Sequence, residues 1–335
     1  MIKIYDNSEI SIDEILERSE QVTDVEGIVT DIIKNVRTNG DKALVEYSKK
    51  FDGAVDDILE VTPEEIEEAF NQVDDELIQI LKQAKENITA FHSRQVRNSF
   101  VLNDKDGVIM GQKVIPIEKV GLYVPGGTAS YPSSVLMNCV PAKIAGCKEI
   151  VMVTPPSKNG KVNPVILAAA FVAGVDKIFK VGGAQAVAAL AYGTETIPPV
   201  DKIVGPGNAF VAEAKRQVFG QVAIDMIAGP SEILIIADKT ANPKFLAADL
   251  MSQAEHDKLA SSILLTDSEE LAEQTKAELA VQVEKLTRKE IIDSSLGNFG
   301  AIIVCSDMKQ AIDFDNELAP EHLEVCCENP MEYVG

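Results

Sequence analysis

Glu149-Ile150-Val151-Met152-Val153 runs into Thr154-Pro155-Pro156 and then into an alanine-rich segment from Pro164 to Gly174. Lys177-Ile178-Phe179-Lys180-Val181 meets Gly182-Gly183 and the segment Ala184 to Tyr192, and Lys202-Ile203-Val204 meets Gly205-Pro206-Gly207-Asn208 before Ala209 to Val218. Each unit is a short β-branched run, a turn of Gly or Pro, and then small residues at helical spacing. Strands alternating with helices specify parallel sheets built from right-handed βαβ units. The rhythm resumes after Gly229-Pro230-Ser231, with a strand at Glu232 to Ala237, a helix from Pro243 to about Glu255 and a strand at Ser262 to Leu265. A charged helix from Ser268 to Leu286 and a strand at Ala301 to Val304 follow.

Upstream of this pattern the chain reads as helical and acidic. Ile10 to Glu17, Gly27 to Arg37 and Asp41 to Lys50 have apolar residues three and four apart, the period of an amphipathic helix. Thr62-Pro63-Glu64-Glu65 is a helix start, a capping hydroxyl followed by proline at the first helical position. A further helix from Asp74 reaches about His92. Length agrees with two domains, since 335 residues divide into about two at ~150 each.

Composition narrows the function. The formal charge is −22, which disfavours nucleic acid and anionic membrane surfaces and suits a cationic small substrate. The longest apolar stretch, Val165 to Val175, is too short to span a bilayer, and the amino terminus has no apolar signal segment. Cys139, Cys147, Cys305, Cys326 and Cys327 fit neither C-x-x-C spacing nor an even disulfide framework, which points to a reducing cytoplasm. A thiolate nucleophile of the aldehyde-dehydrogenase kind is one use for them. Cys139 and Cys147 lie in an apolar stretch where cysteine packs as a small core residue, and all five are read as structural.

Three places could carry chemistry. The Gly182-Gly183-Ala184-Gln185 and Gly205-Pro206-Gly207-Asn208 turns open helices, where backbone N–H groups favour a pyrophosphate. The fingerprint G-x-G-x-x-G is absent, and the same glycines would serve simple helix-on-strand packing. Gly121-Leu122-Tyr123-Val124-Pro125-Gly126-Gly127 reads as a loop with an aromatic ring that could support a planar ligand. Second, Gln253 and His256 are three apart, so on one helix they would share a face and could ligate one metal, or simply end the helix. Third, Pro320-Glu321-His322 reads as the entrance of a helix, with Glu321 and His322 facing solvent there. His92, the remaining histidine, reads as a packed or capping residue near a helix end.

Together these segments resemble the histidinol dehydrogenase family. The resemblance is carried by Gly121 to Gly127, Gly182-Gly183-Ala184-Gln185-Ala186, Gly205-Pro206-Gly207-Asn208-Ala209-Phe210, Asp225 with Ala228-Gly229-Pro230-Ser231-Glu232, Ser252-Gln253-Ala254-Glu255-His256 and Leu318-Ala319-Pro320-Glu321-His322-Leu323-Glu324. It implies oxidation of L-histidinol through the aldehyde to L-histidine, the last two steps of histidine biosynthesis, with two NAD and a zinc ion. By motif, Tyr123, Gln185 and Asn208 would contact NAD, Ser231 would contact substrate, and Gln253 and His256 would ligate zinc beside the substrate. Glu321 and His322 would touch the substrate as the acid–base pair. A neutral imidazole can take the alcohol proton near pH 7, and a carboxylate can activate the water that hydrates the aldehyde.

The resemblance also implies a fold of two incomplete Rossmann-like α/β domains, one inserted in the other. The expected division is an N-terminal helical arm over 1–20, a first domain of 21–123 plus 232–335 carrying Gln253, His256, Glu321 and His322, and an NAD-binding domain over 124–231. The family is a homodimer and continues for roughly another quarter of this chain's length, where an aspartate and a histidine complete the zinc shell. Should the native chain end at Gly335, weak zinc binding and little turnover are expected. Two other readings share these motifs: a non-catalytic homologue that binds nucleotide or a partner, and an NAD enzyme for another amino alcohol or aldehyde.

Overall fold

The computed structural model describes residues 2–6, 11, 25–52, 57–126 and 131–333. Its first element is a strand, β1 (Lys3–Asp6), paired in parallel with a strand near the other end of the chain. The helical arm expected over 1–20 is corrected there: Ile2 and Ile4 flank Lys3 in β-alternation, and Ile2 is buried in an apolar core. The helix expected over 10–17 lies outside the described residues except for Ser11.

Four helices follow: α1 (Glu26–Asn39), α2 (Asp41–Tyr47), α3 (Pro63–Gln72) and α4 (Asp75–His92). A π-helical turn over Ser48–Asp52 continues α2. The start of α3 is a full capping box. Glu65 N donates to Thr62 Oγ1 at 3.3 Å, and Thr62 N donates to a Glu65 carboxylate oxygen at 3.0 Å, so two otherwise orphaned helix donors are satisfied. At the end of α4, His92 Nδ1 lies 2.6 Å from Gln95 Oε1. An antiparallel hairpin, β2 (Phe100–Lys105) and β3 (Val108–Gln112), comes next and is exposed throughout.

The first large sheet contains β4 (Lys119–Tyr123), β5 (Glu149–Thr154), β6 (Lys177–Lys180), β7 (Lys202–Val204) and β8 (Ala223–Ile224). It is wholly parallel in the order β6-β5-β4-β7-β8. That order runs outward from β4 in both directions, so the topological switch point falls between β4 and β7. Its connecting helices are α5 (Pro132–Ala145), α6 (Pro164–Ala173), α7 (Gly183–Tyr192) and α8 (Ala209–Val218).

The second sheet contains β9 (Glu232–Ala237), β10 (Ser261–Thr266), β11 (Gly300–Val304) and β12 (Leu323–Cys326), with β1 at one edge. It too is parallel, in the order β1-β11-β10-β9-β12. Its helices are α9 (Pro243–Ala254), α10 (Glu269–Gln282), α11 (Lys289–Asn298) and α12 (Met308–Leu318). One apolar core packs β9 and β10 against α9, α10 and α11, and another places α12 over the opposite face.

The chain forms two compact units, Thr23–Ala228 and Met1–Val22 with Gly229–Gly335. One is inserted in the other, as expected, but the expected division at 123/124 is corrected. Residues 25–123 belong with the first sheet rather than the second. A parallel sheet needs helices on both faces, and the described residues of 124–231 supply four connecting helices. The amino-terminal helices complete the cover: Val29, Ile32, Ile33 and Val36 of α1 join Val187 and Leu190 of α7 on one face. On the other, Ile78 and Leu81 of α4 join Val135 and Leu136 of α5. β4, placed in the first domain by the sequence reading, is the middle strand of this sheet.

Candidate active site

The nucleotide-contacting candidates lie in Thr23–Ala228 at the carboxyl ends of its strands. Tyr123 ends β4, Gln185 sits in the first turn of α7 after β6, and Asn208 caps α8 after β7. Tyr123 and Asn208 therefore flank the switch point, the usual ligand position in an open α/β sheet. The loop expected around Tyr123 is instead the end of a strand, and the Tyr123 side chain is only 4% exposed. Gly121-Leu122-Tyr123 is β-forming and fills the middle of the sheet, so Tyr123 is no open platform. Its hydroxyl accepts from Gly183 N at 3.0 Å, and burial pushes the phenol up to about 12, so it remains protonated.

The two glycine turns differ in what they leave free. α7 has no side-chain cap, and Gly183 takes a left-handed φ of +66° with the Gln185 side chain folded over it. That φ favours glycine, because a Cβ is strained there and would also displace the Gln185 amide, 2.7 Å away. At α8 the cap is built in: Asn208 Oδ1 accepts from Phe210 N at 3.1 Å and Val211 N at 3.2 Å. These residues fit a dinucleotide, offering small backbone surfaces, a phenolic proton and amide groups at a switch point.

The acid–base and metal candidates lie in the other unit, at the amino ends of its strands. Glu321 and His322 do not open a helix, and that expectation is corrected. α12 stops at Ala319, which adopts a left-handed conformation with φ 45°, and Pro320 cannot extend it. Glu321-His322 is the turn that leads into β12, and His322 O accepts from Leu234 N at 2.9 Å as the first rung against β9. Ser231 immediately precedes β9, and its carbonyl accepts from Ser261 N at 2.9 Å.

His322 is held by three neighbours. Its Nδ1 lies 3.0 Å from the carbonyl of Glu232, 3.0 Å from the Gln253 side-chain amide and 3.6 Å from Glu321 Oε2. A carbonyl can only accept, so the neutral tautomer that bonds the Glu232 carbonyl carries its proton on Nδ1. Turning the Gln253 amide to present its oxygen satisfies the same proton, because the amide O and N positions are interchangeable in assignment. Nε2 is left as the basic atom. Glu321 Oε2 also accepts from Glu232 N at 3.3 Å, and the Glu232 carboxylate accepts from Glu321 N at 3.4 Å. This reciprocal pair fixes the turn against β9.

Gln253 occupies the last turn of α9, but His256 lies beyond the helix in the turn that follows, with its N–H donating to Gln253 O at 3.0 Å. The two do not share a helical face as expected. The helix ends at Ala254, and the Arg288 guanidinium reaches the carbonyl of His256 at 3.4 Å. Both carry donor atoms that zinc accepts, two of the about four that a shell needs. Among the described residues no group of three or more His, Cys, Asp or Glu is placed to hold a metal ion.

Sequence reading overlooked an acidic neighbour of His322. Glu324 follows it by two on the same face of β12, and Asp249 precedes Gln253 by one helical turn. Burial, and then hydrogen bonding and repulsion from Asp249, raise the Glu324 carboxyl above the usual range. The i+2 and i−4 spacings around residues already singled out would have pointed to both. Burial raises all five thiols, Cys139, Cys305 and Cys326 to about 11, which disfavours the thiolate a nucleophile needs.

Fold and site thus define an α/β protein with two parallel sheets, one with glycine turns at a topological switch point and the other with a histidine–carboxylate turn. A family model for histidinol dehydrogenase matches residues 16–335. The histidinol dehydrogenase of Clostridium acetobutylicum is 62% identical over 304 residues, covering 91% of this chain and 70% of that protein. That of Listeria innocua is 58% identical over 303 residues, covering 90% and 71%. The structure of histidinol dehydrogenase from Elizabethkingia anophelis matches with a TM-score of 0.94 at 42% identity, covering 99% of this chain and 77% of that one. The chain belongs to the histidinol dehydrogenase family.

Proposed function

We propose that this protein carries out the NAD-dependent oxidation of L-histidinol to L-histidine through the aldehyde. The observation that carries this reading is His322, with Nδ1 committed to the Glu232 carbonyl and Nε2 left basic beside the Glu321 carboxylate. His322 Nε2 takes the hydroxyl proton as hydride leaves the carbinol carbon, since the alcohol is too weak an acid to ionise alone. Glu321, half exposed and anchored to Glu232 N, takes a proton from the water that adds to the aldehyde. His322, having released its proton, deprotonates the resulting hydrate for the second oxidation. Ser231 borders this turn ahead of β9 and contacts the substrate.

Tyr123, Gln185 and Asn208 would hold NAD, which would supply hydride acceptance for both oxidations. Tyr123 already accepts from Gly183 N, so its remaining capacity is to donate its phenolic proton to a ligand oxygen. Gln253 and His256 supply two zinc ligands, and the metal would orient the imidazole and amine of the substrate, a template role. A cationic amino alcohol suits a chain of net charge −22. The reading places the enzyme in the cytoplasm, where its five free thiols stay reduced. Among the described residues no helix is long and apolar enough to cross a membrane.

It works as a homodimer, for which the β2–β3 hairpin is the support. Val101, Ile109 and Ile115 stand exposed on it and its flank, an apolar surface of the kind that marks an interface.

Glu321→Gln and His322→Gln separate the two roles. His322→Gln is expected to lower the rate with histidinol by roughly 10²–10⁴-fold, the usual size of a general-base contribution. Glu321→Gln should leave oxidation of the alcohol less affected than oxidation of the aldehyde. Rates within twofold of the parent protein for both variants and both substrates would refute the assignment.

A further inference from the structure

Lys215 on α8 is only 3% exposed, an ammonium group that must be paired where it is buried. Its Nζ donates to the carbonyl of Gly205 at 3.0 Å and forms an ion pair with Asp225 Oδ1. The other oxygen of Asp225, Oδ2, accepts from the amide of Gly205 at 2.8 Å, and Oδ1 also accepts from Met226 N at 2.7 Å. Both backbone polar groups of one glycine are therefore taken by the two halves of one ion pair.

Gly205 needs such a hold. Its φ is +116°, and a Cβ there would lie 2.1 Å from the carbonyl oxygen of Tyr123. The peptide is pressed against the end of β4, in a conformation that only glycine adopts without strain. From it the chain passes through Pro206-Gly207 to Asn208, which caps α8, and Lys215 returns from that same helix. The end of β4, the end of β8 and the start of α8 are tied at a single residue. A buried ion pair is a weak source of stability, and apolar replacements of similar volume are often neutral or better. Its use here is geometric.

The geometry points to Lys215 and Asp225 as positioning residues that hold the Gly205–Asn208 turn in the form that receives the dinucleotide. This rests on the reading of Asn208 and Tyr123 as NAD contacts. Neither residue touches the cofactor; each acts through Gly205.

Lys215→Met, Asp225→Asn and the double variant Lys215→Met/Asp225→Leu test it, each in the full chain. Calorimetric titration with NAD, thermal melting and amide hydrogen exchange over residues 205–210 are the measurements. The single variants should weaken NAD binding at least tenfold and speed exchange at 205–208 without NAD. The double variant leaves no unpaired buried charge, so it should regain the parental melting temperature while NAD binding stays weak. If the double variant regains both, the pair serves only to fill the core and the inference fails. It fails equally if the single variants bind NAD like the parent. Should the parent itself bind no NAD, the reading of the site falls, and unchanged exchange at 205–208 in Lys215→Met then separately overturns the clamp.

Discussion

Asp52 shows how one side chain links burial to pH. It ends the π-helical turn after α2 and lines a recess with Pro125, Thr154, Pro155 and Asn163. Its Oδ2 is buried with no hydrogen-bond partner among the described residues, and burial raises the carboxyl from 3.8 to about 6. A raised carboxyl pKa means that the fold disfavours the ionised form. The penalty is absent well below 3.8, where both folded and unfolded states are protonated, grows between 3.8 and about 6 and is complete above it. Asp52→Asn should therefore raise the melting temperature at pH 8 and leave it nearly unchanged at about pH 2.5. An equal shift at both values would show a packing effect without a charge penalty, and a loss at pH 8 would show that the fold stabilises the ionised carboxylate. At this scale the sequence marked Glu321 and His322 through scarcity, since histidine occurs only three times. It could not show that Nδ1 faces a backbone carbonyl, because that contact depends on β12 pairing with β9 across a sequence gap of ninety residues.

Elements with strong local chemistry were legible, and those set by distant pairing were not. Thr62-Pro63-Glu64-Glu65 fixes the start of α3 by itself: the cap and the proline stand where the sequence puts them, and Glu65 adds the reciprocal bond. Pro320 also reads as a helix start, yet the left-handed Ala319 ends a helix there. Proline favours the first turn but serves equally as the stop after a helix, and only the pairing of β12 decides between them. The β2–β3 hairpin was not read at all, because both its faces carry apolar residues and so no period of two marks it. That same pattern gives it an element-scale test. Val101→Asp/Ile109→Asp places charge on residues with 70% and 79% exposure. Light scattering should show a dimeric parent and a monomeric variant; an unchanged mass would place the interface elsewhere.

At the scale of the molecule, two parallel sheets that share the four-strand run β6-β5-β4-β7 and β11-β10-β9-β12 carry their candidate residues at opposite strand ends. Tyr123 and Asn208 sit at carboxyl ends, where the general rule for α/β sheets puts ligands. Ser231, Glu232, Gln253 and His322 gather at the amino ends of β9, β10 and β12. The alternation of strands and helices made both sheets readable from sequence. It could not assign the amino-terminal helices, because an amphipathic helix records that one face is buried but not which sheet buries it. The four-electron reaction is the central claim, and product stoichiometry tests it most directly. A limiting amount of L-histidinol is incubated to completion with excess NAD, zinc and the protein, while NADH is followed by absorbance and products by chromatography. Two NADH and one histidine for each histidinol are expected; one NADH with accumulated aldehyde, or no NADH at all, contradicts it.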